Sequence, residues 1–259
     1  MTNSSRSNTM SKIKCDIRIG TSGWHYEHWR ELFYPAELAK SRWFEHYARH
    51  FDTVEINNTF YQMPKEVSVK RWHAQGPADF VYTVKANRYI THIKRLKDAA
   101  EPIETFFERM NFLKEKLGPI LYQLPPSLHQ DLELLRDFVE LLPKKSITVF
   151  EFRHKSWFCD DVFRLLDESG CSFCVHDMAG IETPRVVTGD IIYIRFHGPT
   201  GKYVGSYSRS ALRDWAGWIK DNIEKVRGVY VYFNNDTNAY AVSNAKTLKE
   251  QLLVSRPFA

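Results

Sequence analysis

Charged side chains stand near the ends of four short apolar runs in this sequence. Glu55 and Glu151 are carboxylates, which can exchange a proton with a substrate as a general acid or base. Lys85 and Arg195 are cations, which can stabilise negative charge on a carboxylate or a phosphate. Each occupies the last inward position of a predicted strand, so we predict that all four line one pocket at one end of a barrel. They form the predicted catalytic set.

Nine further residues, at strand ends or in the loops that follow, are predicted to contact a ligand. Their amide, carboxylate, imidazole and guanidinium groups can form hydrogen bonds, and their aromatic rings can stack on a sugar or a base. The alternative for both sets is structural, with rings that pack loops together and charges that form salt bridges plugging the barrel mouth. The predicted ligand-binding residues are Trp24, Asn57, Tyr61, Gln123, Arg153, Trp157, Asp177, His197 and Asn234.

Two details of this site depend on strand order and strand register. Glu55 and Lys85 end neighbouring predicted strands, so we expect a direct or water-bridged ion pair between them. His176 and Asp177 are consecutive at the end of another strand and must face opposite sides of it. The sequence leaves open which of the two faces the barrel interior.

The same residues argue against a bound metal or cofactor. Carboxylates and histidines at the strand ends could supply metal ligands, yet Lys85, Arg153 and Arg195 would repel a cation there. The sequence has no H-x-H or H-E-x-x-H spacing, no G-x-x-x-x-G-K-[ST] loop and no G-x-S-x-G motif. We therefore predict that the site uses no metal and no cofactor.

The elements that must position these residues are eight short apolar runs separated by segments of helical periodicity. Strands that alternate with helices need crossover connections and therefore form a parallel sheet. Eight such units in a chain of this length predict a (β/α)8 TIM-type barrel, whose chemistry sits at the carboxyl ends of the strands. The predicted strands cover residues 17–21, 53–56, 80–85, 120–123, 148–152, 173–176, 191–196 and 229–233.

Two local features refine this fold. Only 14 residues separate His176 from Ile191, which is too short for a full crossover helix with its loops, so the sixth helix is predicted to be shortened or missing. The rival fold, a doubly wound open sheet, would carry a G-x-G-x-x-G turn after its first strand. Residues 20–25 have the sequence GTSGWH, which lacks that pattern and favours the barrel.

The composition is typical of one globular domain. The chain has 259 residues, of which 43% are hydrophobic and 26% charged, with a formal net charge of +5. Its four cysteines have no disulfide or zinc spacing. We predict a disordered tail over residues 1–14 and a single barrel domain over residues 15–259. The N-terminus lacks the apolar core of a signal peptide and no run is as long as a membrane span, so the predicted location is the cytoplasm.

Nine motifs, most of them at strand ends, identify a related family. They are residues 19–24 (IGTSGW), 33–35 (FYP), 53–61 (TVEINNTFY), 84–86 (VKA), 90–92 (ITH), 121–126 (LYQLPP), 152–157 (FRHKSW), 193–198 (YIRFHG) and 232–236 (YFNND). Together the motifs resemble the YecE-like proteins, a TIM-barrel family of unknown function, from about residue 16 to residue 253. One departure is Glu31 in the first loop, where the family pattern leads us to expect glycine. The resemblance implies the barrel fold and brings no established reaction, substrate or cofactor.

The favoured function is an enzyme or binder that takes a small anionic or polyhydroxyl, sugar-like molecule at the carboxyl end of the barrel. If it is an enzyme, acid–base chemistry without a cofactor would make it a hydrolase, lyase or isomerase. One alternative is a nucleic-acid-binding protein or a TIM-barrel nuclease, which the net charge and the basic stretch 92–97 favour only weakly. Another is a binding scaffold without catalysis. No membrane partner is predicted, and the oligomeric state is left open.

Overall fold

The computed structural model describes residues 15–179 and 183–253, whose strands form a nearly closed parallel barrel. The strands are β1 (Asp16–Thr21), β2 (Thr53–Ile56), β3 (Val81–Lys85), β4 (Leu117–Gln123), β5 (Thr148–Glu151), β6 (Ser172–Asp177), β7 (Ile191–Phe196) and β8 (Gly228–Phe233). Each strand from β2 to β7 pairs in parallel with the strand that follows it, and β8 pairs in parallel with β1. Between β1 and β2, the Gly23 amide donates a hydrogen bond to the Glu55 carbonyl at 2.9 Å, which brings the two ends of the sheet together. The predicted (β/α)8 TIM-type barrel is confirmed.

Helices between the strands cover the outside of the barrel. They are α1 (Trp43–Ala48), α2 (Asn58–Tyr61), α3 (Glu66–Gln75), α4 (Ala100–Met110), α5 (Leu132–Glu140), α6 (Asp160–Glu168), α7 (Arg209–Asn222) and α8 (Tyr240–Leu253). Helix α6 buries Val162, Leu165 and Leu166, which share one face at helical spacing. Helix α5 begins after Asp131, whose side chain accepts a hydrogen bond from the Leu134 amide at 3.0 Å. Local sequence signals therefore set both the helix ends and the faces that cover the sheet.

The connection between β6 and β7 differs from the others, as the short spacing predicts. Its described residues, 178–179 and 183–190, contain no helix. Thr188 ties the connection to the start of β6, because its hydroxyl donates to the Cys171 carbonyl and accepts from the Phe173 amide, both at 2.9 Å. These side-chain hydrogen bonds hold a segment that has no crossover helix to pack it.

Alternate residues of the strands fill the barrel interior in layers, because successive side chains of a strand point to opposite faces. Around the middle of the barrel, Tyr232 places its hydroxyl 2.7 Å from the hydroxyls of both Thr53 and Thr83. Charged residues follow toward the carboxyl ends of the strands. The mainly apolar interior cluster consists of Leu121, Val149, Cys174, Ile191, Tyr193, Tyr230 and Tyr232.

The predicted domain limits extend beyond what the structure describes. The predicted tail over residues 1–14 lies outside the described residues, and so do residues 254–259 at the end of the predicted domain. Both limits stay predictions. In the described ranges, no helix combines the length and the apolar character needed to cross a bilayer.

Candidate functional site

A buried arginine joins two buried carboxylates at the carboxyl end of the barrel. Arg195 on β7 donates from Nη2 and Nε to Glu55 Oε1, at 2.8 and 3.2 Å. Its Nη1 donates to Glu151 Oε2 at 2.5 Å. All three side chains are almost fully shielded from solvent. Arg195 therefore bridges the barrel between β2 and β5, and the structure brings three of the four predicted catalytic residues into direct contact.

Hydroxyl and amide groups complete the surroundings of Glu55. The Tyr193 hydroxyl donates to Glu55 Oε2 at 2.5 Å, and the Ser22 hydroxyl donates to Oε1. Asn57, a predicted ligand-binding residue, donates from Nδ2 to Ser22 Oγ, while its Oδ1 is buried with no hydrogen-bond partner among the described residues. Glu55 is thus held on both oxygens, whereas the nearby Asn57 keeps a free acceptor.

Glu151 is held by a second arginine as well as by Arg195. Arg153 Nη2 forms an ion pair with Glu151 Oε1, and its Nη1 lies 3.0 Å from Met178 Sδ. Burial alone would raise the pKa of Glu151, but the charges of Arg153 and Arg195 hold that pKa well below its usual range. Glu151 is therefore a permanent anion inside the barrel, and its paired charge makes it a poor proton donor.

His197 is neutral because cations surround it. Its Nε2 lies 3.0 Å from Arg153 Nη2 and 3.4 Å from Arg195 Nη1, and guanidinium groups can only donate. Nε2 faces these donors, and on the other side of the imidazole the Asn234 Nδ2 lies 3.2 Å from Nδ1. Burial and the charge of Arg195 lower the pKa of His197 well below its usual range. Two more predicted ligand-binding residues, His197 and Asn234, thus belong to this group of polar side chains around Arg195, which we call the ring.

Lys85 lies at the same end but outside the ion-pair network. Its Nζ donates to Gln123 Oε1 at 2.6 Å and lies 4.1 Å from the centroid of the Phe60 ring. The direct ion pair expected with Glu55 is not formed, because Glu55 is level with Thr83 on β3 and Arg195 occupies its carboxylate. Burial and the charge of Arg195 lower the pKa of Lys85 to about 7.

His176 faces the interior of the barrel, which answers the question that the sequence left open. Its ring lies 6.0 Å from that of His197, edge to face, and neither of its ring nitrogens has a hydrogen-bond partner among the described residues. Burial lowers the pKa of His176 to about 4, so the ring is neutral. Asp177 points the other way, where its carboxylate accepts from the Tyr207 hydroxyl at 3.1 Å.

Four cations act electrostatically on His92, and we call them the basic cluster: Lys85, Arg88, Arg95 and Arg153. Partial burial and these four charges lower the pKa of His92 to about 4. Among the described residues, only Arg153 of the four has a carboxylate within ion-pair distance. The basic cluster therefore carries unbalanced positive charge.

Four predicted ligand-binding residues lie away from these charged side chains, and their contact with a ligand stays a prediction. Trp24 packs edge to face on Phe44 and Trp72 at ring distances of 5.4 and 6.4 Å, because the first loop folds back over α1 and α3. Tyr61 ends α2 and is 73% exposed on the surface.

The other two also lie away from the charged side chains of the barrel interior. Trp157 is fully buried behind β5, where it stacks on Phe152 at 4.7 Å and donates from Nε1 to the Leu128 carbonyl at 2.8 Å. Asp177 follows an inward residue and so faces the outer helices, where burial raises the pKa of its carboxyl group.

The sequence analysis also missed residues that the structure brings to the ring. Tyr193 precedes Arg195 by two positions on β7, so the two-residue period of a strand was a usable signal for it. Phe60 and His92 lie in loops and helical turns after the strands, where no periodicity could have revealed them.

The described residues offer no evident binding site for a metal ion. Residues 15–179 and 183–253 contain no group of three or more histidine, cysteine, aspartate or glutamate side chains placed to hold a metal ion. The buried carboxylates of Glu55 and Glu151 already accept from Arg195. The predicted independence of metal and cofactor stays a prediction.

Comparison with known proteins adds solved structures of the same fold. A DUF72 family protein from Thermotoga maritima superposes with a TM-score of 0.84 at 30% identity, covering 92% of this chain and 99% of that one. A second DUF72 family protein, from Enterococcus faecalis, gives a TM-score of 0.80 at 21% identity over 93% of this chain and 97% of that one. Both cover almost the whole barrel, which supports the fold independently of the strand assignment.

Sequence relatives agree with the structural ones. The UPF0759 protein YunF of Bacillus subtilis is 24% identical over 91% of this chain and 94% of its own length. The UPF0759 protein YecE of Escherichia coli is 32% identical over 55% of this chain and half of its own length. The family model described as protein of unknown function DUF72 matches residues 18–257. The chain therefore belongs to the DUF72 family, in agreement with its resemblance to the YecE-like proteins.

Proposed function

We propose that the protein is a cofactor-independent enzyme that binds a small anionic or polyhydroxyl molecule at the carboxyl end of the barrel. The observation that carries the proposal is the imbalance of charge at this end. Glu55 and Glu151 are neutralised by Arg195 and Arg153, while Lys85 and two further members of the basic cluster have no carboxylate within ion-pair distance among the described residues. An anionic group would supply the missing counter-charge.

A purely structural plug would leave fewer polar groups unmatched. Buried polar groups in folded proteins are nearly always hydrogen-bonded, and each exception needs an explanation. At this end Asn57 Oδ1 and both ring nitrogens of His176 have no partner among the described residues. Unmatched acceptors beside an unbalanced cation favour a site that a ligand completes, with hydroxyl groups suited to the acceptors.

In this proposal, the polar residues at the carboxyl end of the barrel have two different roles. Glu55, Glu151 and Arg195 satisfy one another and act as a rigid support that positions the mouth. Lys85 has spare hydrogen-bonding capacity and a pKa of about 7, so it can gain or lose a proton near neutral pH. We therefore assign Lys85 the catalytic role and give the three ion-paired residues a positioning role.

Thermal unfolding with matched probes tests this proposal. Inorganic phosphate supplies an anion, glucose a polyol, and glucose 6-phosphate both. We expect at least one probe to raise the Tm of the wild type by about 2 °C or more, relative to potassium chloride at equal ionic strength. Lys85→Met should abolish the rise, whereas Lys97→Met, a change at an exposed lysine of the following loop, should retain it.

Three outcomes would count against the proposal. If no probe raises the Tm, or if the rise is the same in Lys85→Met, then the ring is structural. If only a DNA oligonucleotide raises the Tm, with a steep dependence on salt, then the site belongs to a nucleic-acid-binding protein instead.

A further inference from the structure

Lys85 is placed for covalent chemistry as well as for binding. We propose that its amine is a nucleophile that forms an imine with the carbonyl carbon of a small anionic aldehyde or ketone. The inference rests on the proposed function, because it assigns a substrate class to the same site.

The geometry around Lys85 leaves its nitrogen shielded from water but available for reaction. The residue is 9% exposed, at the last position of β3 and therefore at the mouth of the barrel. Among the described residues, its Nζ makes one hydrogen bond, to the neutral amide of Gln123, and the Phe60 ring covers another side. A lysine desolvated in this way is an activated nucleophile, since the free amine and not the ammonium ion carries the lone pair.

The charges that face Lys85 act in both directions. Arg195 and Arg153 disfavour its protonated form, and Glu151 and Glu55 favour it. The two carboxylates are held in ion pairs with the two arginines, so neither pairs directly with Lys85. Because these charges act in opposite directions, burial decides the net shift in the pKa of Lys85. The resulting pKa of about 7 leaves a large share of Lys85 as the neutral amine at neutral pH.

The reaction needs no oxidant, reductant or cofactor. The Nζ lone pair forms a bond to the carbonyl carbon while the electron pair of the C=O π bond moves to oxygen, which yields a carbinolamine after transfer of a proton from nitrogen to oxygen. The carbinolamine then loses its hydroxyl group and the second hydrogen of the nitrogen as one molecule of water. An imine remains between Lys85 and the former carbonyl carbon.

The basic cluster selects an anionic carbonyl compound over a neutral one. Arg88, Arg95 and Arg153 lie close enough to His92, together with Lys85, to lower the pKa of that histidine. Arg153 is paired with Glu151 and Arg95 donates to Ser127, so it is the summed positive charge of the cluster that favours an anionic carbonyl compound near Lys85.

Reductive trapping with glyoxylate, the smallest anionic aldehyde, tests the inference on the full chain. Sodium cyanoborohydride delivers hydride to an imine carbon and fixes the adduct, which peptide mass spectrometry then locates. At about pH 7 we expect at least a tenfold excess of adduct on Lys85 over any exposed lysine, because an exposed lysine with a pKa near 10.4 is almost wholly protonated. Lys116, a second buried lysine whose Nζ donates to the His73 and Gly76 carbonyls, is an internal control and should stay unlabelled.

Variants separate this chemistry from mere binding. Lys85→Met should lose the dominant adduct while Lys97→Met keeps it. Labelling that is spread over exposed lysines and unchanged by Lys85→Met would overturn the imine. If Lys85 stays unlabelled while a phosphate probe still raises the Tm in a Lys85-dependent manner, the imine fails and the proposed function stands. If both experiments fail, both proposals are wrong.

Discussion

Two lysines are buried near opposite ends of this barrel, and their surroundings differ. Lys116 precedes β4 and is 7% exposed, and its Nζ donates to the carbonyls of His73 and Gly76 at 2.7 Å each. Lys85 ends β3 and is 9% exposed, yet its one hydrogen-bond partner among the described residues is the side chain of Gln123. Burial is nearly equal in the two, so burial alone does not distinguish a structural lysine from a functional one.

The difference lies in how completely each end satisfies its polar groups. Lys116 caps the last turn of α3, where free carbonyls and the helix dipole both favour a cation. At the other end, Arg195 and Arg153 pair with the two carboxylates, and Lys85 has no carboxylate within ion-pair distance among the described residues. A group that is buried without a full set of partners costs stability, and such groups persist where a ligand or a reaction uses them.

The largest effect on stability is expected in the ion-pair network that Arg195 and Arg153 form with the buried carboxylates. Glu151→Gln keeps the shape of the side chain but removes the charge that Arg153 and Arg195 share, which leaves an unbalanced buried cation. We expect a loss of about 3–5 kcal/mol in the free energy of unfolding, measured by urea denaturation. Glu104→Gln on the exposed face of α4 is the control, and a loss of equal size there would contradict the buried-network account.

Exchanging each buried lysine for methionine should have opposite effects. Lys116→Met leaves two backbone carbonyls without a donor and should cost about 1–3 kcal/mol. Lys85→Met removes a buried charge and should stabilise the protein by about 2 kcal/mol at about pH 6, since one pKa unit corresponds to about 1.4 kcal/mol and the lost bond to Gln123 offsets part of the gain.

The pH dependence of that gain has a definite sign. The pKa of Lys85 is about 7 in the folded chain and near its ordinary value of 10.5 in the unfolded chain, so the unfolded chain binds more protons between these values. Wild-type stability should therefore rise with pH across this window relative to Lys85→Met, and the advantage of the variant should be full below about pH 7 and be lost before pH 10.5, because the missing bond to Gln123 still costs stability there. Destabilisation by Lys85→Met at low pH would contradict the account.

His176 should produce a smaller effect on the acid side. Its pKa is about 4 in the folded chain against 6.5 without burial, so protonation favours the unfolded chain as the pH falls through this window. The loss of stability between about pH 6.5 and pH 4 should be smaller by about 2–3 kcal/mol in His176→Leu. The same substitution at the exposed His25 should leave the loss unchanged, and equal behaviour of the two variants would show that His176 does not titrate as described.

The smallest effect is expected at a predicted ligand-binding residue that lies exposed on the surface. Tyr61 is exposed at the end of α2, with its ring edge-on to Phe60 at 5.0 Å. Tyr61→Ser should change the free energy of unfolding by less than about 0.5 kcal/mol and leave the phosphate-dependent rise in Tm intact. Loss of that rise would return Tyr61 to the ligand site.

The sequence predicted the barrel and the end that carries the charges, because both depend on periodicity. Alternation along β7 and β5 places Arg195 and Glu151 inward, and the short spacing before β7 leaves no room for a helix. The same rule separates His176 from Asp177 once one of them is known to face inward. These predictions need only the chain itself and the geometry of strands.

Strand periodicity could not predict which charged side chains pair with each other inside the barrel. Neighbouring strands suggested Glu55 and Lys85 as a pair, but the register sets Glu55 beside Thr83, one inward position below Lys85. Arg195 is long enough to cross the interior and reach Glu55 from β7. Trp24 and Trp157 fell outside the site for a related reason, since the path of a loop decides where an aromatic ring packs and one sequence does not specify that path.

An electron-density map of the barrel mouth, from crystals soaked in glucose 6-phosphate, would show whether this end of the barrel holds a ligand. We expect an ordered phosphate group within about 3 Å of Lys85 Nζ, in contact with the basic cluster, while Arg195 keeps its bonds to Glu55 and Glu151. The same soak of Lys85→Met crystals should show no phosphate at this position. A wild-type mouth that contains only water, or a phosphate bound elsewhere on the barrel, would contradict the claim that this end of the barrel is a ligand site.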